Sequence, residues 1–251
     1  MWETYKKGYK AWLQLEKSLS DHSVEAYIRD VDKLTQYLSQ SHSTQQPGEI
    51  TLSDLQKFLK WISEFGLTAS SQARMISGIR SFYKYCLTEE MVTQDPTLLL
   101  EAPKLKRALP EVLNYPEIEQ LIAQIDLSKP EGTRNKAIVE TLYGCGLRVS
   151  ELANLKISQL FLEVGFIRVV GKGNKERLVP IGRSAAKHLQ LYIQEVRKHQ
   201  TPKQGCEDTI FLNKRGSGLS RVMIFLILKE LAQKAGIKKN ISPHSFRHSF
   251  A

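Results

Sequence analysis

Four of the nine prolines fall within residues 95–116, at Asp95-Pro96, Ala102-Pro103, Leu109-Pro110 and Tyr115-Pro116, with the basic run KLKR among them. Proline fixes φ and has no N–H, so it can neither continue a helix nor donate to a sheet ladder. Recurring every six or seven residues, it leaves no room for a regular element. Residues 96–116 therefore read as an extended linker, and the chain as two domains, 1–95 and 117–251.

Charge divides along the same line. Residues 1–109 carry 14 Lys+Arg against 13 Asp+Glu, and residues 110–251 carry 22 against 13, so nine of the ten net positive charges belong to the second part. That imbalance points to a polyanionic partner. With 41% hydrophobic and 25% charged residues the chain is globular in composition. No stretch approaches the roughly 18–20 apolar residues of a membrane helix, and the start MWETYKKGYK lacks a signal peptide's apolar segment. A cytoplasmic protein without a membrane partner is expected. Cys86, Cys145 and Cys206 are odd in number and fit no CxxC pattern, so reduced, mostly buried thiols are expected rather than disulfides or a zinc site.

The first domain reads as four helices. One lies around Tyr5 to Leu19. In the second, Ser20 or Asp21 caps a run in which Val24, Tyr27, Val31, Leu34 and Leu38 recur at helical spacing. Thr51 and Ser53 precede the third, which stops at Gly66, and Thr68 opens a long fourth through Ile76, Ile79, Phe82, Tyr83 and Leu87. The second domain is mixed. Helices are expected at 116–126, 132–144, 183–199 and 219–235. FIRVV and ERLVP flank GKGNK as the strands of a hairpin turning at Gly173 and Asn174, and Thr209 to Leu212 offers a further short strand.

Three clusters bear on chemistry. In GCGLRVSEL, Arg148 precedes Ser150 and Glu151, which read as the cap and first-turn acid of a new helix. Arg148 is either a cation projecting into a cleft or a surface arginine paired with Glu151. In GKGNKER, Lys172, Lys175 and Arg177 crowd a hairpin tip. It is not a Walker loop, since Gly173 follows Lys172, so it is either a donor to phosphate and leaving oxygen or a solvated basic turn. In PHSFRHSF, His244 and Arg247 stand three apart, which suits a phosphodiester: a guanidinium for non-bridging oxygens and an imidazole for a proton. A helix-capping His244 is the alternative. His248 is read as pointing elsewhere, and no further histidine or carboxylate partner stands nearby, so no metal is expected.

In order and separation, GLRVSEL, GKGNKERLVPIG and HSFRHSFA resemble the motifs of the tyrosine recombinases (phage integrase family), and within them the bacterial XerC/XerD group. The resemblance runs from about residue 10 to the last residue. It implies an all-α, SAM-like core-binding domain and a mixed α/β catalytic domain, mainly helical overall, forming a C-shaped clamp on duplex DNA. It further implies that Arg148 and Arg247 grip the scissile phosphate, that Lys172 is the general acid, that His244 lies near the nucleophile, and that Glu151 holds Arg148. Arg74, Arg80, Lys84, Lys175 and Arg177 are candidate DNA contacts. The implied reaction is site-specific cutting and rejoining through a 3′-phosphotyrosyl link, without metal or nucleotide cofactor. The implied assembly is a homo- or hetero-tetramer on two recombination sites, in chromosome dimer resolution. A mobile-element integrase, a type IB topoisomerase and a truncated DNA-binding regulator are the alternatives.

The family pattern places its nucleophilic tyrosine beyond the HxxR motif, whereas all nine tyrosines here precede His244. The sequence is therefore expected to be C-terminally truncated, and residues 1–251 to bind DNA without forming a covalent complex. On a nicked suicide substrate, a denaturing gel should show no protein-linked DNA. A tyrosine-linked adduct from this chain alone would overturn that reading.

Overall fold

The computed structural model of the chain describes residues 2–105, 111–239 and 241–249, with every side chain in those ranges except Lys172, His244 and His248. Two compact units divide it, Met1–Arg107 and Ala108–Ala251.

The first unit is built on four helices: α1 (Trp2–Leu15), α2 (Asp21–Gln40), α3 (Leu52–Glu64) and α4 (Ala69–Thr88). Their ends follow local chemistry. The Asp54 N–H donates to the Thr51 hydroxyl at 3.3 Å, and the Thr51 N–H returns a bond to the Asp54 carboxylate at 3.0 Å, closing a capping box on α3. Thr68 caps α4 by accepting from the Ser71 N–H. Ser20, not Asp21, holds the cap position of α2. Helix α1 starts and stops earlier than the expected Tyr5–Leu19 segment. Ser18 turns through a left-handed φ of 47°, and the Lys17 and Leu19 N–H groups fold back onto the Trp12 and Leu13 carbonyls.

The four apolar faces meet in a core that includes Tyr9, Leu34, Phe58, Ile76 and Phe82. Helices α2 and α4 approach closely at Gly78. A Cβ there would lie 2.9 Å from the Cβ of Asp30 on α2 and closer still to its carboxylate, while the Tyr9 hydroxyl donates to the Gly78 carbonyl at 3.4 Å.

The second unit carries helices α5 (Tyr115–Ala123), α6 (Pro130–Cys145), α7 (Val149–Ala153), α8 (Arg183–Glu195), α9 (Arg221–Lys234) and α10 (Pro243–Ser249). Between α7 and α8 lies an antiparallel sheet in the order β1 (Leu160–Phe161), β2 (Phe166–Val170), β3 (Glu176–Pro180). Helix α6 is the axis of this core. Ala137, Ile138, Val139 and Leu142 are all fully buried, and α8, α9 and α10 pack against it. Strands β2 and β3 form the expected hairpin, with Val169 opposite Arg177 and Ile167 opposite Val179. The tip passes through Gly173 (φ 73°) and Asn174 (φ 58°), the left-handed backbone that a tight hairpin requires.

Three expectations are corrected. Thr209–Leu212 is no strand: it makes isolated bridges at Thr209 and Leu212, and its backbone groups are spread over several partners. The Thr209 carbonyl accepts from Arg197, the Ile210 carbonyl from the Tyr192 hydroxyl, and the Ile210 N–H donates to Leu155. The expected 183–199 helix ends at Glu195 and gives way to a 3₁₀ turn over Arg197–His199. Helix α7 starts at Val149, so Arg148, not Ser150, holds the cap position.

Cys86 and Cys145 are buried free thiols, whose burial pushes both up to about 12, and Cys206 is half-buried. Among the described residues, no helix is long and apolar enough to cross a membrane.

The contact at Gly78 sets a test. Gly78→Ala forces α2 and α4 apart and is expected to cost about 1–3 kcal/mol, read as a lower urea midpoint of the first unit. An unchanged midpoint would contradict the close approach.

Candidate active site

Helix α6 ends at Gly146, whose φ of 55° and ψ of 35° reverse the chain in the left-handed region. The buried Leu147 follows and anchors the turn. Arg148 then takes the cap position of α7, with Glu151 at the third helical position. The Glu151 carboxylate accepts from the Arg148 N–H at 2.8 Å and from the Arg148 guanidinium at 2.9 Å. Arg148 thus pairs with Glu151 and still exposes half of its side chain.

That carboxylate does more than cap a helix. Its side chain is 3% exposed, yet Arg177 of β3 also binds it, Nη1 donating to Oε1 at 2.8 Å and Nη2 to Oε2 at 2.9 Å. Arg247 of α10 brings a third guanidinium, with Nη1 at 3.9 Å from Glu151 Oε2 while donating to the Gly146 carbonyl at 3.1 Å. The carbonyl that receives Arg247 belongs to the residue that ends α6. Helix α10 is fixed by the buried Phe246, and Ser249 accepts from the Leu113 N–H at 2.7 Å and donates to the Ser245 carbonyl at 2.7 Å.

Burial alone would raise the Glu151 pKa. The Arg177 side chain, the Arg148 N–H and the Arg148 side chain outweigh it and hold the carboxyl down at about 2. Three guanidiniums around one ionised carboxylate leave an excess of positive charge. Each arginine is about 36–50% exposed, so the excess faces solvent, an arrangement that suits the oxygens of a phosphodiester.

Lys172 lies on the backbone of the hairpin tip, and the Gly171 N–H donates to the Lys175 carbonyl at 2.8 Å to close that tip. The side chains of Lys172 and His244, both candidates, lie outside the described residues. Lys175 is exposed. In the first unit the three candidates are exposed along α4 but differ. Arg74 grips the buried Asp30, its Nη1 at 2.8 Å from Oδ2, and Arg80 donates to the Leu100 carbonyl. Burial raises the Asp30 pKa, against the pull of Arg74. Arg177, read from sequence only as a candidate DNA contact, is held by Glu151, a partner that the sequence reading missed. Strand parity carried the signal: Arg177 lies two residues before the buried Val179 and so shares its inward face, alternating with the exposed Glu176 and Leu178, which turns its guanidinium toward a partner inside.

Residues 111–251 match the phage integrase family, and residues 7–90 the N-terminal SAM-like domain of phage integrases. Tyrosine recombinase XerD of Listeria innocua serovar 6a is 40% identical over 241 residues, covering 96% of this chain and 81% of the relative. The chain belongs to the phage integrase family and is a site-specific tyrosine recombinase. XerH site-specific recombinase, in a post-cleavage complex bound to palindromic difH substrate, matches in fold with a TM-score of 0.73 at 23% identity, over 91% of this chain and 67% of that one. A lambda integrase dimer bound to a COC′ core site gives 0.75 at 16% identity, over 99% of this chain and 84% of that one. The recombinase fold is therefore mainly helical with one small antiparallel sheet, as expected.

Glu151→Gln tests the site's electrostatics. Because the folded carboxyl titrates at about 2, below its ordinary 4.5, its contribution is complete above about pH 5 and fades as pH falls through 4.5 toward 2. The variant should lose on the order of 3 kcal/mol at pH 7 and show a flatter stability profile between pH 5 and 2. Thermal melts across that range check both, and wild-type stability at pH 7 would contradict the charge assignment.

Proposed function

We propose that this recombinase acts on duplex DNA through the Glu151-centred arginine cluster, the observation that carries the reading. Arg148 and Arg247 bind the non-bridging oxygens of the scissile phosphate, and Glu151 fixes Arg148 in place. A tyrosine oxygen attacks phosphorus, the bond to the 5′ oxygen breaks, and the 3′-phosphotyrosyl link keeps the bond energy for a new 5′ hydroxyl to reverse the step. Lys172 supplies the proton to the departing 5′ oxygen, His244 serves beside the nucleophile, and Lys175 touches phosphate. Preorganised cations and one proton donor stabilise the charge that builds on the equatorial oxygens.

The attacking tyrosine is none of those in the described catalytic unit. Tyr192 is fully buried, with its hydroxyl donating to the Ile210 carbonyl. Tyr115 and Tyr143 line a groove with Glu119 and Glu140 and no arginine, and the Glu119 side chain raises the Tyr115 pKa.

The biological reading follows the 40% identity to XerD, which favours chromosome dimer resolution in the cytoplasm over integration of a mobile element. The working assembly is a tetramer, of this chain alone or with a related recombinase, on two DNA sites. Arg74 and Lys84 of α4 serve as phosphate or groove contacts of the core-binding unit.

The test uses the full-length protein and a substrate whose 5′ bridging oxygen is sulfur, a leaving group that needs little protonation. Lys172→Ala should lose about 10²–10⁴-fold in cleavage of the oxygen substrate and recover on the sulfur one. Recovery by Lys175→Ala in its place would reassign the general acid.

A further inference from the structure

The hairpin that carries Lys172 is tied to the arginine cluster at one point. Arg177 sits on the inward face of β3, opposite Val169 and two residues from Val179, and it spans both oxygens of Glu151. Gly171, the residue before Lys172, lies directly against that bond. A Cβ built on it would stand 3.4 Å from Arg177 Nη1, 3.5 Å from the Lys175 carbonyl oxygen and 3.6 Å from Glu151 Oε1. Farther out, the tip has less support: a Cβ on Gly173 would meet no atom within 4 Å. The base of the tip is therefore set by the Arg177–Glu151 pair, and the same Glu151 oxygen that takes Arg177 Nη1 also takes Arg148 Nη1.

We propose that Arg177 is a positioning residue: it registers the hairpin tip, and with it Lys172, against the Arg148–Glu151 element, and does not itself contact DNA. The bidentate fork is what suits arginine to this task. Two parallel bonds to a buried carboxylate fix an angle as well as a distance, whereas a lysine ammonium makes one pivoting contact. A proton donor displaced by about 1 Å loses a large part of its effect, so a residue that fixes the donor's base affects the chemical step without touching the substrate. The inference rests on the reading of Lys172 as general acid.

The experiment measures single-turnover cleavage of the oxygen and the 5′-bridging sulfur substrates by full-length wild type, Lys172→Ala, Arg177→Ala, Arg177→Lys and Lys172→Ala/Arg177→Ala, with DNA affinity and melting temperature measured for each. If Arg177 acts through Lys172, Arg177→Ala loses roughly 10²-fold on oxygen, recovers to within about tenfold of wild type on sulfur, and retains DNA affinity. The double variant then cleaves the oxygen substrate no more slowly than Lys172→Ala. Equal losses on both substrates, or a loss confined to DNA affinity, would overturn the proposal in favour of a structural or phosphate-binding role. Should Arg177→Ala fail to fold, Arg177→Lys decides by the same ratio, since it keeps a cation beside Glu151 and removes only the fork. Failure of Lys172→Ala to recover on sulfur sinks the general-acid reading itself. Recovery by Lys172→Ala without recovery by either Arg177 variant sinks this inference alone.

Discussion

A buried carboxylate is an expensive group, and Glu151 is tolerated because it never stands without cations. Withdrawing it from water without partners would push its proton affinity up, but two arginines and a backbone N–H hold it ionised. The converse matters as much. Arg148, Arg177 and Arg247 would repel one another if gathered with no anion among them, and Glu151 lets them share one site with charge left over. A phosphate approaching the exposed sides of these guanidiniums meets cations whose positions are already set.

The fold brings these groups together from distant parts of the chain. Arg148 comes from the turn that ends α6, Arg177 from the inward face of a hairpin, and Arg247 from α10, 101 residues after the carbonyl that receives it. Each is anchored through an apolar neighbour: Leu147 beside Arg148, Val179 beside Arg177 and Phe246 beside Arg247, all buried. Core packing therefore sets the site's geometry, and the largely buried axis helix α6 links the core to the site through Gly146.

Much of this could be read from residues alone. The capping residues Thr51 and Thr68, the glycines that end helices, the hairpin with its Gly173-Asn174 turn and the three motifs all declare themselves within a few residues of sequence. What escaped lies in contacts between segments far apart. Nothing near Arg74 indicates that Asp30, 44 positions earlier, takes its guanidinium, or that Arg80 reaches the Leu100 carbonyl. Strand β1 has two residues, too few to show any alternation. Thr209–Leu212 carries β-forming residues but finds hydrogen-bond partners in a tyrosine hydroxyl, an arginine and a loop rather than in a neighbouring strand. Arg177 is the intermediate case: strand parity pointed it inward, while the composition of a basic tip suggested a contact with DNA.

Glu151 is ionised inside the cluster throughout the neutral pH range. Selective ¹³C labelling of glutamate side chains and NMR titration of the Glu151 carboxyl resonance, assigned by its loss in a Glu151→Gln variant, measures this directly. The structure predicts a midpoint at about 2, with no inflection between pH 4 and 7. A midpoint at or above the ordinary 4.5 would mean that the arginines do not hold the carboxylate, and the account of the site would fail.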